Sequence, residues 1–214
     1  MRTLDWITLT VCFWIFSAMA LAHEGHEQPA PAPAPATTTT SAAPAPAKGT
    51  HDAKTWFTDT PLLDQNGDVQ RFYSDALHNR VVLLNVIFTS CNDACPLITR
   101  KLKEVRELLG DKADGITFIS LTSDPLRDTP AVLKAYTLKQ GADDPHWLFL
   151  TGDKAQMELV LGRIGQIVPT PEQHSTQLIV GDVANKRWSK IRPDAPAAAI
   201  AQRLQLLTMP VAGR

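Results

Sequence analysis

The apolar positions of this chain change period several times, and each change marks an element. Val81-Val82-Leu83-Leu84-Asn85-Val86-Ile87-Phe88 is short, β-branched and apolar on both faces, the pattern of a strand buried in a parallel sheet. Beyond Pro96, the residues Leu97, Ile98, Leu102, Val105, Leu108 and Leu109 fall on one helical face, and Gly110 follows as a stop signal. Ile116-Thr117-Phe118-Ile119-Ser120-Leu121 returns to the buried-strand pattern, so these three segments form a β-α-β unit.

Around this unit the same reading supplies further elements. Residues 56–72 read as two short strands around the turn Asp64-Gln65-Asn66-Gly67-Asp68. Ser123-Asp124-Pro125-Leu126-Arg127-Asp128-Thr129-Pro130 is a turn in which Asp128 or Thr129 caps a helix running to about Gln140. Asp124 and Asp128 read as turn and cap residues. Trp147-Leu148-Phe149-Leu150 is a short strand, and residues 153–164 a third helix with Met157, Val160, Leu161 and Ile164 on its apolar face. Residues 176–180 and 187–191 flank Gly181-Asp182 as a second hairpin, and a helix over about 196–207 closes the chain. The order predicts an α/β fold with an N-terminal hairpin.

The first 50 residues follow other rules. Residues 6–22 carry no charge, follow Arg2, and end in Ala18-Met19-Ala20-Leu21-Ala22, which offers cleavage after Ala20 or Ala22. A signal peptide is expected, although a run of 17 residues is also close to the shortest that spans a bilayer, so an uncleaved anchor stands beside it. Cys12 belongs to this leader. Residues 23–50 begin with His23-Glu24-Gly25-His26-Glu27, a polar flank, and continue into Pro, Ala, Thr and Ser, a composition that builds a semi-rigid spacer and no core. Residues 51–214 remain as one domain by the usual size prior. With 21 basic and 22 acidic residues the formal charge is −1, and no basic patch interleaved with aromatics favours nucleic acid.

The chemistry concentrates on Cys91 and Cys95, the only thiols outside the leader, on the turn between the first central strand and its helix. Unpaired N–H groups and the positive dipole end of a helix favour thiolate over thiol, so the pKa of this pair should fall. If the turn winds helically, a spacing of four brings both sulfurs to one side, able to share an ion or to join as a disulfide. A purely structural disulfide is the plainer alternative, but so short a loop restrains little unfolded-chain entropy. In an oxidising compartment an idle pair closes unless a reductant or a metal holds it, so a partner is required. Arg100, Lys103, Glu104 and Glu107 read as a face turned to water, and Asp93 as a turn former.

Several stretches together resemble the SCO/SenC family of copper proteins that help assemble cytochrome c oxidase. Thr89-Ser90-Cys91-Asn92-Asp93-Ala94-Cys95-Pro96, Ser120-Leu121-Thr122-Ser123-Asp124-Pro125 with Asp128-Thr129-Pro130, Leu133-Lys134-Ala135-Tyr136, Trp147-Leu148-Phe149-Leu150-Thr151-Gly152 and His174-Ser175 match in order, over residues 58–207. The resemblance implies a thioredoxin-like fold with inserted strand-helix elements, a copper ion, Cu(I) or Cu(II), held by Cys91, Cys95 and His174, and a redox-active pair that forms a disulfide when oxidised. Two departures stand beside the ligand positions: Asn92 where the family usually has proline, and Gln173 where many members carry an aspartate. Both bear on tuning of the site and leave the three ligand positions intact.

Of six histidines, His23, His26 and His51 lie in or beside the spacer and His78 in a polar turn, which leaves His146 and His174. A strand parallel to the cysteine strand would start at the opposite sheet edge, carrying His146 away. An antiparallel hairpin strand brings its first residues to the dithiol edge, which favours His174, as the resemblance also implies.

Two thiolates and an imidazole form a soft donor set suited to Cu(I), which also accepts Cu(II) or Zn(II); a structural zinc site normally closes with four ligands. The expected function is a tethered metallochaperone that delivers copper to the CuA site of cytochrome c oxidase. A thiol-disulfide oxidoreductase acting on cysteines of a copper-site protein is the alternative, and a peroxidase or a docking domain a third. The implied partners are the oxidase subunit bearing CuA and a periplasmic thiol reductant or second copper chaperone. The implied location is periplasmic, soluble after cleavage or anchored to the inner membrane by residues 6–22.

Overall fold

A computed structural model describes residues 52–210. The leader, the spacer, His23, His26 and His51 lie outside the described residues. No helix among the described residues is long and apolar enough to cross a membrane.

Five strands form the central sheet: β3 (Val81–Ile87), β4 (Ile116–Thr122), β5 (Trp147–Leu150), β6 (Leu178–Asp182) and β7 (Arg187–Ile191), in the order β5-β4-β3-β6-β7. β3, β4 and β5 run parallel, whereas β6 and β7 run antiparallel to their neighbours. This is the thioredoxin-like α/β architecture. A small antiparallel pair, β1 (Pro61–Leu63) and β2 (Val69–Arg71), precedes it.

Alternation along β3 separates two cores. Leu83 and Ile87 face a layer made by α2 (Ala94–Leu109), α3 (Pro130–Gln140) and α5 (Ala197–Thr208), where Leu102, Leu133 and Leu204 are wholly buried. Val82, Leu84 and Val86 face the opposite layer, which holds Leu62, Phe72 and the Met157 and Val160 side chains of α4 (Lys154–Arg163). Because both sheet faces are covered, β3 and β4 are buried on both sides without a solvent-facing polar alternation, and their polar residues Asn85, Thr117, Ser120 and Thr122 are buried too. Each fully buried leucine contributes roughly 1.5–3 kcal/mol relative to an exposed one.

Local signals set the ends. Thr129 Oγ1 accepts from Val132 N–H and so caps α3, with Pro130 following and Gly141 in the left-handed region beyond its end. Asp153 and Gln156 form a reciprocal capping box at α4. In the first hairpin the Asp64 carboxylate accepts from the N–H groups of Asn66 and Asp68. Gln65 then bonds Trp147 O at 3.0 Å and Phe149 N–H at 2.9 Å, covering part of the β5 edge.

Several expectations shift. Residues 53–57 form a short helix, α1 (Ala53–Phe57), capped by Asp52, so the first hairpin is confined to Pro61–Leu63 and Val69–Arg71. A π-helical turn, Phe72–Leu77, follows, with Phe72, Ala76 and Leu77 buried. The second hairpin turns two residues later than expected: Gly181 and Asp182 are strand residues, and the turn falls on residues 183–186. Gly181 serves packing there, since an added Cβ would lie 2.3 Å from the Trp188 ring. Leu97 and Leu108 are 53% and 49% exposed, so the buried stripe of α2 is narrower than the apolar pattern.

Candidate metal centre

The C-terminal ends of parallel strands open onto a crevice, and the site lies there. After β3 the chain makes a tight turn closed by Cys91 N–H donating to Phe88 O at 3.1 Å, and α2 begins at Ala94. Asp93 occupies the cap position but makes no side-chain cap hydrogen bond. The Cys91 sulfur substitutes for it by accepting from Cys95 N–H at 3.3 Å. The helix start therefore points its unpaired N–H groups at one thiol.

Burial disfavours ionisation of Cys91, but hydrogen bonds from the Cys95 N–H and thiol and from the Asp93 and Ala94 N–H groups outweigh it and lower the pKa from its usual 9.0. Cys95 behaves oppositely. It is wholly buried, and that burial pushes its thiol up to about 12 against the pull of the Phe88 N–H, with the neighbouring Cys91 and Asp128 charges adding to the rise. The expectation of a lowered pKa thus holds for Cys91 and not for Cys95. Both cysteines are free thiols.

His174 arrives from a different part of the chain. A 3-10 turn at Pro171–Gln173 leads into it, four residues ahead of β6, and its ring packs edge-on against Phe88 with centroids 5.4 Å apart. The Nδ1 atom lies 3.1 Å from Ser175 O. A carbonyl can only accept, so the neutral ring carries its proton on Nδ1 and leaves Nε2 with a free lone pair. That Nε2 stands 3.6 Å from Cys95 Sγ, and His174 as a residue is 9% exposed.

Cys95 and His174 are in contact and Cys91 lies beside Cys95, yet among the described residues no group of three or more His, Cys, Asp or Glu side chains is placed to hold a metal ion together. Access comes from the Cys91 side, where a groove of about 370 Å³ is lined by Cys91, Asn92, Pro96, Val132, Tyr136 and Lys139, among others. His146 sits where β5 begins, with Nε2 3.7 Å from Asp114, and His78 packs against Tyr73 ahead of β3. Neither is among the contacts of the two thiols. Asn92 and Gln173, the departures from the family pattern, are both exposed. Arg100, Glu104 and Glu107 face water, as the pattern indicated, and Lys103 is half-buried.

Two supporting residues escaped the sequence reading. Asp128, read as a turn or cap residue, is 0% exposed and accepts hydrogen bonds from Thr89 and Thr122. Thr99 Oγ1 donates to Cys95 O at 2.9 Å and meets Tyr136 OH at 3.0 Å, tying the first turn of α2 to α3. Burial pushes the Tyr136 phenol up to about 12.

A family model described as SCO1/SenC matches residues 50–208. The chain belongs to the SCO1/SenC family. An SCO2-like protein of Rickettsia felis is 41% identical over 100 residues, 47% of this chain and 46% of that relative, so the chain spans about half the length of the curated relatives it matches. Among solved structures, Bradyrhizobium japonicum ScoI with copper bound is 29% identical with a TM-score of 0.58, covering 69% of this chain and 96% of that one. BsSco, a member of the Sco family of cytochrome c oxidase assembly proteins with an identified disulfide switch, is 25% identical with a TM-score of 0.58, covering 69% and 90%.

Proposed function

We propose that this chain is a copper metallochaperone: Cys91, Cys95 and His174 bind one copper ion and deliver it to the CuA site of cytochrome c oxidase during assembly of the enzyme. The observation that carries the reading is the approach of His174 Nε2 to Cys95 Sγ, 3.6 Å, beside the half-exposed Cys91. Two sulfurs and one imidazole are a soft set suited to Cu(I) and able to hold Cu(II). Three ligands leave the ion reachable, so a recipient can exchange donors one at a time. Binding draws Cys91 in from its helix N–H to complete the set.

Membership in the SCO1/SenC family and likeness to a copper-bound ScoI support this assignment. The partners of the reading are the oxidase subunit carrying CuA, and a periplasmic reductant or second copper chaperone that keeps the pair loaded. Its compartment is the periplasm, with residues 6–22 as cleaved leader or inner-membrane anchor. X-ray absorption at the copper edge of the loaded chain tests the donor set: two sulfurs and one nitrogen are expected, and an all-sulfur sphere overturns it.

A second reading has its own observation, the contrast between a reachable Cys91 of lowered pKa and a buried Cys95 held at about 12. In a thiol-disulfide oxidoreductase, the Cys91 thiolate attacks a partner disulfide and releases one partner sulfur, which takes up a proton. Cys95 then gives up its proton and attacks the Cys91 sulfur, freeing the second partner thiol and leaving the Cys91–Cys95 disulfide. A Cys95→Ala variant should trap the mixed disulfide; failure to trap any copper-site protein counts against this role.

A further inference from the structure

Asp128 is wholly buried, and hydrogen-bond donors alone hold its carboxylate. Thr89 N–H reaches the two oxygens at 3.1 and 3.3 Å, Thr89 Oγ1 reaches one at 2.5 Å, and Thr122 Oγ1 reaches the other at 2.5 Å. The Thr122 oxygen already accepts from Asp124 N–H at 2.9 Å, so its proton is free to donate. Among the described residues no cation pairs with Asp128, because the adjacent Arg127 is bound to Asp124 at 2.6 Å. A buried carboxylate without a cation persists only where donors replace its water.

The helix that follows does not require this arrangement, since Thr129 already caps α3. What the carboxylate does is fasten three segments at the strand ends: the exit of β3 at Thr89, the end of β4 at Thr122, and the residue ahead of the α3 cap. Thr89 lies inside the Phe88–Cys91 turn that delivers the first cysteine.

We infer that Asp128 is a positioning residue of the centre: by pinning Thr89 it fixes the turn that sets Cys91 relative to Cys95 and His174. What that position is used for rests on the proposed ligand set. The pinning itself is read without any metal.

Three variants of the full chain separate a positioning role from plain structural support. Asp128→Asn keeps the volume and cannot accept all three donors, Thr89→Val deletes the pinned hydroxyl, and Thr122→Val deletes a donor that does not belong to the cysteine turn. In reduced protein without metal, Asp128→Asn and Thr89→Val should speed amide exchange at Cys91 by roughly 10-fold or more, the effect of losing one charge-assisted hydrogen bond. Cu(I) affinity, measured against a competing chelator, should fall by a comparable factor. Thr122→Val should lower the unfolding midpoint about as much as Thr89→Val while leaving both readouts at the wild-type level.

Equal effects of Thr122→Val on exchange and affinity would overturn the inference, as would wild-type exchange in Asp128→Asn. If Asp128→Asn does not fold, the comparison of the two threonine variants decides alone. A wild-type chain that takes up no Cu(I) ends the ligand assignment, and the exchange comparison then decides the role of Asp128 by itself.

Discussion

Cys95 Sγ and His174 Nε2 stand 3.6 Å apart although 79 residues separate them in the chain. Strand direction produces this contact. β3 ends where the cysteine turn begins, and β6 runs antiparallel to it with Leu84 opposite Ile179, so residues just ahead of β6 return to the same sheet edge. His146 precedes a strand parallel to β3 and β4 and is carried to the opposite edge.

Proton release should accompany copper binding. A ligand sulfur must be deprotonated, and the Cys95 thiol, held up at about 12 by burial, is fully protonated near neutral pH. Cys91, whose pKa is lowered by helix N–H groups against its burial, contributes only its protonated fraction. Calorimetry in buffers of different ionisation enthalpy should report between one and two protons per ion, and affinity should rise about tenfold per pH unit for each proton released. Affinity independent of pH would contradict sulfur ligation by Cys95.

The stability of the reduced protein should depend on pH with opposite signs on either side of 9. Below it, Cys91 loses its proton in the folded state before the unfolded one does, so stability rises as pH approaches 9. Above it, the unfolded chain deprotonates Cys95 while the folded chain retains the proton up to about 12, so stability falls. Denaturant unfolding across this range, compared with a Cys95→Ser variant, checks the assignment: the variant should lose the part of the fall that begins near 9, retain the part above 10 that the Tyr136 phenol, also held up to about 12, contributes, and keep the rise below 9.

Gly181→Ala should destabilise the fold. The new methyl would lie 2.3–2.6 Å from ring atoms of Trp188, the cross-strand partner of this glycine, and the rigid indole must move. Overpacking of this kind costs about 1–3 kcal/mol. Urea unfolding should show the lower midpoint, with copper affinity unchanged because β7 lies on the far side of β6 from the cysteine strand.

Much of the fold was legible because its signals are local. The largely apolar run of β3, the turn carrying two cysteines four residues apart, and the proline and threonine opening α3 each specify an element without distant contacts. Thr129 rather than Asp128 proved to be the α3 cap, since Asp128 is engaged by Thr89 and Thr122. Gly181-Asp182 read as a turn because glycine and aspartate usually mark one; here the glycine makes room for Trp188, and Asp182 accepts from Asn185 and Arg187 to organise the turn after it. Leu97 and Leu108 carry apolar side chains at positions the sheet does not cover. Asp128 was missed because its partners lie 39 and 6 residues away, and only folding brings both hydroxyls to one carboxylate. The split between the two thiols was also illegible, since spacing alone does not show which sulfur faces the helix N–H groups and which enters the core.

Anaerobic titration of the reduced protein with Cu(I) against a competing chelator tests the central claim most directly. The wild-type chain should bind one equivalent. His146→Ala should leave that binding unchanged, and His174→Ala should weaken it by more than the roughly 10–100-fold associated with losing an outer-shell partner of a metal ligand. Absence of stoichiometric binding, or binding that is the same with and without the His174 imidazole, would contradict the account.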